Sequence, residues 1–281
     1  MILIDGKKEA SDLREQLKQE VSALKNKNNK VPGLTVILIG DMTPSQIYVR
    51  NKEKAANEVG LKSEVIKYPE AIEEKVVLEK IKELNKDDTI SGILVQLPLP
   101  KHIDKQKVIE TISPFKDVDG LHPMNVGNLS SGYQGSIPCT PLGCYLLIKK
   151  IEPNLTGKKA VMIGRSNLNG KAMAQLLLQE DCTVTITHSK TKDLKAECLA
   201  ADIIVAAVGI KELVKGDWVK KDAIVIDVGI NKTDKGIVGD VAFDEVSKVA
   251  KALTPVPGGV GPMTIACLLK NTIECFKRTQ K

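Results

Sequence analysis

Aromatic residues are scarce in this chain: three phenylalanines, four tyrosines and one tryptophan, 3% of 281 residues. Nucleic-acid-binding surfaces interleave such rings with clustered basic side chains. The net charge of +6 and pI near 8.8 rest instead on scattered lysines, for which a small polyanionic ligand accounts equally well. Histidine occurs only at positions 102, 122 and 188, none paired at helical spacing, and the six cysteines (139, 144, 182, 198, 267 and 275) include no CxxC pair. Neither a zinc site nor a disulfide framework is therefore expected. The apolar run within residues 1–5 is too short for a secretory signal, and no stretch approaches the ~20 apolar residues of a membrane span. Internal repeats and low-complexity tracts are also missing. What is present is a globular composition, 42% hydrophobic and 27% charged, in a chain long enough for two domains. The expectation is a reduced, soluble, cytoplasmic protein that binds neither nucleic acid nor membrane.

The most informative stretch is residues 43–52. Thr43-Pro44 reads as a helix start, with the hydroxyl as N-cap and proline in the first turn. Ser45, Tyr48 and Lys52 then fall on one helix face at i, i+3 and i+7. A phenol and an ammonium one turn apart can share a ligand, although a solvated amphipathic helix shows the same spacing. The preceding run 34–40 is continuously apolar and ends in glycine, as a strand buried on both faces does. Ligand sites of open α/β sheets lie at the carboxyl ends of strands, and this helix begins at one.

The alternation continues with a strand near 61–68, a helix near 71–84 and a buried strand at 90–95. It predicts a parallel sheet, with Gln96 at the same edge as Lys52. An ordinary surface amide fits Gln96 as well. Residues 112–138 lack periodicity and read as a long functional loop or linker, containing Lys116-Asp117-Val118-Asp119-Gly120. There a carboxylate could bind the amidine-like edge of a heterocycle, or merely make a turn. A helix resumes near Thr140, with Thr140 as N-cap and Pro141 at N1.

The rear half opens with a strand at 159–163, a turn from Gly164 to Gly170 and a helix over 171–180. This is the strand–glycine turn–helix order that docks a phosphate on backbone N–H groups. The GxGxxG fingerprint is incomplete, with Ser166 and Asn169 at its second and third glycines. The next strand ends at His188-Ser189-Lys190, with no carboxylate for a ribose 2′-hydroxyl. Together with Arg165, this favours NADP over NAD; His188 itself reads by default as a strand-end residue. Two more buried strands end at Gly209 and Gly229. The stiff loop 254–262 either wraps a flat ligand or links, and an apolar helix from 263 to about 277 returns toward the first domain.

Several stretches together resemble the methylenetetrahydrofolate dehydrogenase/methenyltetrahydrofolate cyclohydrolase family. They are residues 45–52, Val95-Gln96-Leu97-Pro98-Leu99-Pro100, residues 116–120, Pro138-Cys139-Thr140-Pro141, Gly164-Arg165-Ser166, Asp227-Val228-Gly229-Ile230-Asn231, and residues 255–264. Each match is modest; in this order, across nearly the whole chain, they are highly specific. The resemblance implies an α/β fold of two three-layer α/β domains with a cleft between them. Residues 1–139 and 262–281 would form a folate-binding catalytic domain, and residues 140–261 a Rossmann-like NADP-binding domain through which a homodimer forms. It implies NADP-linked oxidation of methylenetetrahydrofolate, then hydrolysis to 10-formyltetrahydrofolate. By position Lys52 is the cyclohydrolase acid/base residue, Tyr48 holds the folate, Gln96 hydrogen-bonds Lys52 and Asp119 binds the pterin. Ser45, Pro257, Gly258 and Gly259 belong to the substrate site, and Gly164, Arg165, Ser166, Ser189 and Ile230 contact the cofactor. The chain departs from the family pattern at Asn169 (usually Val) and Ala172 (usually Pro), which bears on cofactor affinity more than on chemistry. Tyr48-x-x-x-Lys52 also fits short-chain dehydrogenases, but in those the glycine turn precedes the tyrosine, and here it follows.

Overall fold

The structure is a computed structural model, and it describes residues 1–234 and 236–279, with Asn28 described by its backbone alone. The chain divides into two compact units: Ser11–Cys139 with Ile265–Lys281, and Met1–Ala10 with Thr140–Thr264.

The chain opens with a short strand, β1 (Ile2–Leu3), and helix α1 (Gly6–Asn28). Then come β2 (Gly33–Ile39), α2 (Thr43–Val59), β3 (Lys62–Tyr68), α3 (Glu74–Lys86), β4 (Gly92–Val95), α4 (Lys105–Thr111) and α5 (Pro123–Ser131). The sheet has the order β3-β2-β4 and is parallel throughout. Every residue of β2 is buried, as expected of a central parallel strand rich in branched aliphatics. Ile37 and Ile39 pack with Val77, Ile81 and Leu84 of α3 and with Val108 of α4; the spacing of four and three residues in α3 makes its buried stripe. Beyond β4, a parallel bridge joins Ile93 to Asp117, so the segment leading to Asp119 is tied to the sheet. A Cβ at Gly92 would stand 2.4 Å from Val118 Cγ1, so the bare backbone of β4 is what lets that segment lie close.

The second unit contains α6 (Cys139–Ile151), β5 (Lys159–Ile163), α7 (Gly170–Gln179), β6 (Thr183–Thr187), α8 (Leu194–Leu199) and β7 (Ile203–Ala206). It continues with β8 (Ile224–Asp227), β9 (Asn231–Thr233), β10 (Gly236–Val238), α9 (Phe243–Val246) and β11 (Ala252–Leu253), and α10 (Val260–Thr279) ends the chain. The sheet order is β1-β11-β8-β7-β5-β6, all parallel; β9 and β10 form a separate antiparallel hairpin. From β5 the chain steps outward to β6 and returns on the other side to β7, which is the strand reversal at which doubly wound sheets bind ligands. Val161, Ile163, Ile204, Ala206 and Val225 pack beneath Cys198 and Val246 on one face.

Five sequence expectations change. Residues 1–10 group with the rear unit because Ile2 and Leu3 pair with Ala252 and Leu253. Residues 262–264 fall there too, so the boundary lies inside α10, between 264 and 265. Helix α2 is capped at Met42 and Thr43 is already helical, with no side-chain cap bond. Helix α6 likewise begins at Cys139, one residue before Thr140, whose Oγ1 lies 3.1 Å from Thr264 Oγ1. The stretch 112–138 is not structureless: α5 lies within it, capped by His122, whose Nδ1 accepts from Met124 N, and begun by a proline. Among the described residues no helix is long and apolar enough to cross a membrane, and all six cysteines are free and buried.

Candidate active site

In α2 the buried positions are Ser45, Val49, Lys52, Ala55, Ala56 and Val59. Helical periodicity thus places Lys52 inside the stripe that packs on the sheet, with only 9% of its surface exposed. A buried ammonium needs partners, and the carboxyl end of β4 provides one: Lys52 Nζ donates to Gln96 Oε1 at 3.0 Å. Gln96 is itself oriented, since its Nε2 donates to Leu97 O at 2.7 Å. Tyr48, one turn before Lys52, is 40% exposed and available to a ligand.

Asp119 lies near the same lysine. Burial raises its carboxyl pKa; the Lys52 charge pulls the other way, and Asp117 adds to the rise. The Cys139 thiol contacts Asp119 Oδ1 at 3.8 Å, and burial, then the neighbouring Asp119 charge, pushes that thiol well up. The segment carrying Asp119 is held from several directions. Asp117 Oδ2 accepts from His122 N at 2.8 Å and from Asn125 Nδ2 at 2.9 Å. From α10, Asn271 Nδ2 donates to Val118 O at 2.8 Å and to Ile137 O at 2.7 Å, joining the backbone on either side of the α5 segment. Asp119 also lines a small concavity with Leu97, Val108, Ile112 and Leu121. Lys52, Gln96 and Asp119 thus lie together in this unit.

In the other unit the glycine turn sits at the carboxyl end of β5. Gly164 has φ +116°, and a Cβ there would lie 2.7 Å from Ala207 O. The missing third glycine of the fingerprint is supplied one residue late: a Cβ at Gly170 would come within 2.1 Å of Gly164 O. Gly170 therefore sets how closely α7 approaches the strand, which Asn169 could not do. Ser166 Oγ accepts from Asn169 N at 3.1 Å and closes the turn, while Arg165 and Ser166 stay exposed. Gly164 N donates to Thr187 O at 3.0 Å, placing the end of β6 beside the turn. There His188 is engaged locally, its Nδ1 accepting from Lys190 N and its N–H donating to Thr191 Oγ1, and Ser189 and Lys190 are exposed. With no carboxylate at this strand end, an exposed Arg165 and a cradle that a Cβ would fill, the residues fit a dinucleotide bearing a 2′-phosphate. Ile230, after β8, is 54% exposed.

Pro257-Gly258-Gly259 lies in this same unit against the chain's beginning. A Cβ at Gly6 would fall 1.8 Å from Gly259 O, and one at Gly258 would meet Lys7 Cε at 3.3 Å. The structure thus gathers Lys52, Gln96 and Asp119 in one unit, with Ser45 and Tyr48 on the same helix, and the turn residues and Ser189 in the other. Ile230 and the 257–259 loop occupy separate strand-end loops of that second unit. Sequence reasoning missed Gly170 and Asn271. The Gly-x5-Gly spacing after β5 signals the first, and a lone amide within the apolar run of α10 signals the second.

The family model described as the tetrahydrofolate dehydrogenase/cyclohydrolase catalytic domain matches residues 4–119, and the NAD(P)-binding domain of the same family matches residues 138–280. The chain is 86% identical over 281 residues, the full length of both, to the "Bifunctional protein FolD" of Pelagibacter ubique (strain HTCC1062). The bifunctional methylenetetrahydrofolate dehydrogenase/cyclohydrolase FolD from Campylobacter jejuni matches with a TM-score of 0.97 at 50% identity, over 99% of each chain. The Trypanosoma brucei N5,N10-methylenetetrahydrofolate dehydrogenase-cyclohydrolase, complexed with NADP cofactor and inhibitor, matches at 0.95 and 39% identity, over 100% of this chain and 99% of that one.

Proposed function

Because the chain belongs to the tetrahydrofolate dehydrogenase/cyclohydrolase family, we propose that Lys52, Gln96 and Asp119, with Tyr48, carry its folate chemistry. The protein is a bifunctional one-carbon enzyme: it oxidises 5,10-methylenetetrahydrofolate to 5,10-methenyltetrahydrofolate with NADP, then hydrolyses that product to 10-formyltetrahydrofolate. The observation that carries the site assignment is the buried Lys52 ammonium held 3.0 Å from Gln96 Oε1, with the Asp119 carboxylate near it.

The chemistry NADP supplies when bound is acceptance of a hydride from the methylene carbon. Gly164, Arg165, Ser166, Ser189 and Ile230 would hold it. Loss of that hydride leaves a resonance-stabilised amidinium, so the protein's task in the first step is positioning rather than strong base catalysis. Asp119 accepts from the amidine-type edge of the pterin, and Tyr48 orients the folate. Ser45, on the same helix, borders the substrate.

Hydrolysis makes a larger demand. Water adds to the methenyl carbon and loses one proton, giving a neutral carbinolamine. The bond from that carbon to N5 then breaks as N5 takes up a proton and the carbinol O–H gives one up, so the formyl group stays on N10 and one proton is released overall. Lys52 in its amine form takes the proton. Gln96 Oε1, 3.0 Å away, keeps the Lys52 nitrogen aimed. Such proton transfer contributes about 10²–10⁴-fold.

A homodimer in the cytoplasm completes the proposal. It is supported by the position of β6 at the edge of the six-stranded sheet with Ile186 41% exposed, and light scattering tests it. The enzymatic reading is tested by supplying methylenetetrahydrofolate and NADP and following NADPH and methenyl absorbance together. NADPH should appear with 10-formyltetrahydrofolate as the end product. Methenyl product accumulating in step with NADPH would mark a dehydrogenase without hydrolysis, and no NADPH would remove the first reaction.

A further inference from the structure

The loops that follow β7 and β8 converge on one carboxylate that no folate or cofactor role claims, and the β7 loop abuts the glycine turn after β5. Asp240 has no exposed surface. Its Oδ2 accepts from Val208 N at 2.7 Å and Gly209 N at 2.9 Å, the turn after β7. Its Oδ1 accepts from Asn231 Nδ2 at 2.9 Å, next to Ile230 in the loop after β8. The turn after β7 in turn abuts the glycine cradle, because a Cβ at Gly164 would meet Ala207 O at 2.7 Å and Val208 Cγ1 at 3.2 Å.

Asp240 is fixed by a second buried carboxylate. Asp227 Oδ1 accepts from Asp240 N and Gly229 N, and its Oδ2 from Val241 N, each at 2.9 Å. Two neighbouring buried acids are costly unless N–H groups saturate them, and here each carboxylate accepts three. The fit leaves no room for a side chain: a Cβ at Gly229 would lie 2.2 Å from Asp240 Oδ1, and one at Gly239 would lie 1.8 Å from Asp227 Oδ2. Resting on the NADP reading above, we propose that Asp240 is a positioning residue for cofactor binding, seated on Asp227, that locks the loops at three strand ends into one binding edge.

The test uses full-length D240N and N231A. N231A removes only the half-buried amide that ties Asp240 to the β8 loop, so it reports even where D240N folds poorly. NADP Kd is measured by calorimetry, and hydrolysis of pre-formed methenyltetrahydrofolate, which consumes no NADP, is measured beside it. The expected result is a rise in Kd of about tenfold or more for D240N, equivalent to about 1.4 kcal/mol, and a smaller rise for N231A. Hydrolysis per folded molecule should change far less. Kd values equal to wild type in both variants would overturn the proposal, as would hydrolysis falling in proportion to NADP binding, the mark of a merely structural role. A wild-type protein that binds no NADP would sink the functional reading itself, whereas normal wild-type binding matched by the variants would sink only the role of Asp240.

Discussion

Replacing Asn271 with leucine keeps the volume of a side chain only 5% exposed but removes both of its amide donors. Two buried carbonyls then lose a partner, and each such loss costs about 1–3 kcal/mol. Val118 O retains the Cys139 thiol at 3.3 Å and belongs at the low end; Ile137 O belongs nearer the middle. The sum is about 3 kcal/mol, against the ~5–15 kcal/mol that hold a typical protein together, so N271L should fold. At ~2–4 °C per kcal/mol the melting temperature should fall by about 6–12 °C. The functional consequence is more specific. Val118 precedes Asp119, so freeing its carbonyl loosens the carboxylate, and KM for the folate substrate should rise about tenfold, or ~1.4 kcal/mol. The NADP Kd should stay near wild type, because Asn271 and the glycine turn lie in different units. The assays are scanning calorimetry, steady-state kinetics with folate varied, and calorimetric NADP binding. A lowered melting temperature with an unchanged folate KM would refute the coupling from α10 to Asp119.

Gly170→Ala brings a methyl within 2.1 Å of a backbone oxygen that only movement of the turn can relieve. NADP should bind at least about tenfold more weakly, while hydrolysis of supplied methenyl substrate persists; unchanged NADP affinity would contradict the role given to Gly170. A hydrogen bond from Lys149, then one from Tyr145 Oη at 2.6 Å, holds the Glu180 carboxyl below its usual value of 4.5. A lowered carboxylate pKa contributes stability that is present above the ordinary value and lost as pH falls through the depressed one. Glu180→Gln should therefore lower the melting temperature at neutral pH, and its deficit against wild type should shrink as pH drops below ~4.5; a deficit constant with pH would exclude this linkage.

The parts of the fold that could be read in advance are those where local chemistry and burial agree. The run 34–39 is uninterrupted because β2 is covered on both faces, and Lys52 could be placed because it shares helical spacing with Ser45 and Tyr48 in a helix that begins at that strand's carboxyl end. Gln96 follows from strand direction alone. Asp119 was legible only by resemblance, since its position depends on Asn271, 152 residues further along the chain from it and donating to Val118. Helix α5 escaped because it has nine residues, and its cap is a histidine ring nitrogen rather than a hydroxyl or carboxylate. The membership of residues 1–10 rests on a two-residue pairing with β11 that no local pattern announces. Asp240 gives no local signal, because its partners come from loops up to 32 residues earlier.

The central claim is that Lys52 manages the proton in the hydrolytic step. Lys52→Met removes the amine and leaves an apolar side chain of similar length in the buried stripe. Measured on pre-formed methenyltetrahydrofolate, its hydrolysis should fall by about 10²-fold or more, while NADPH formation from methylenetetrahydrofolate remains measurable. Hydrolysis by K52M at the wild-type rate would contradict the account.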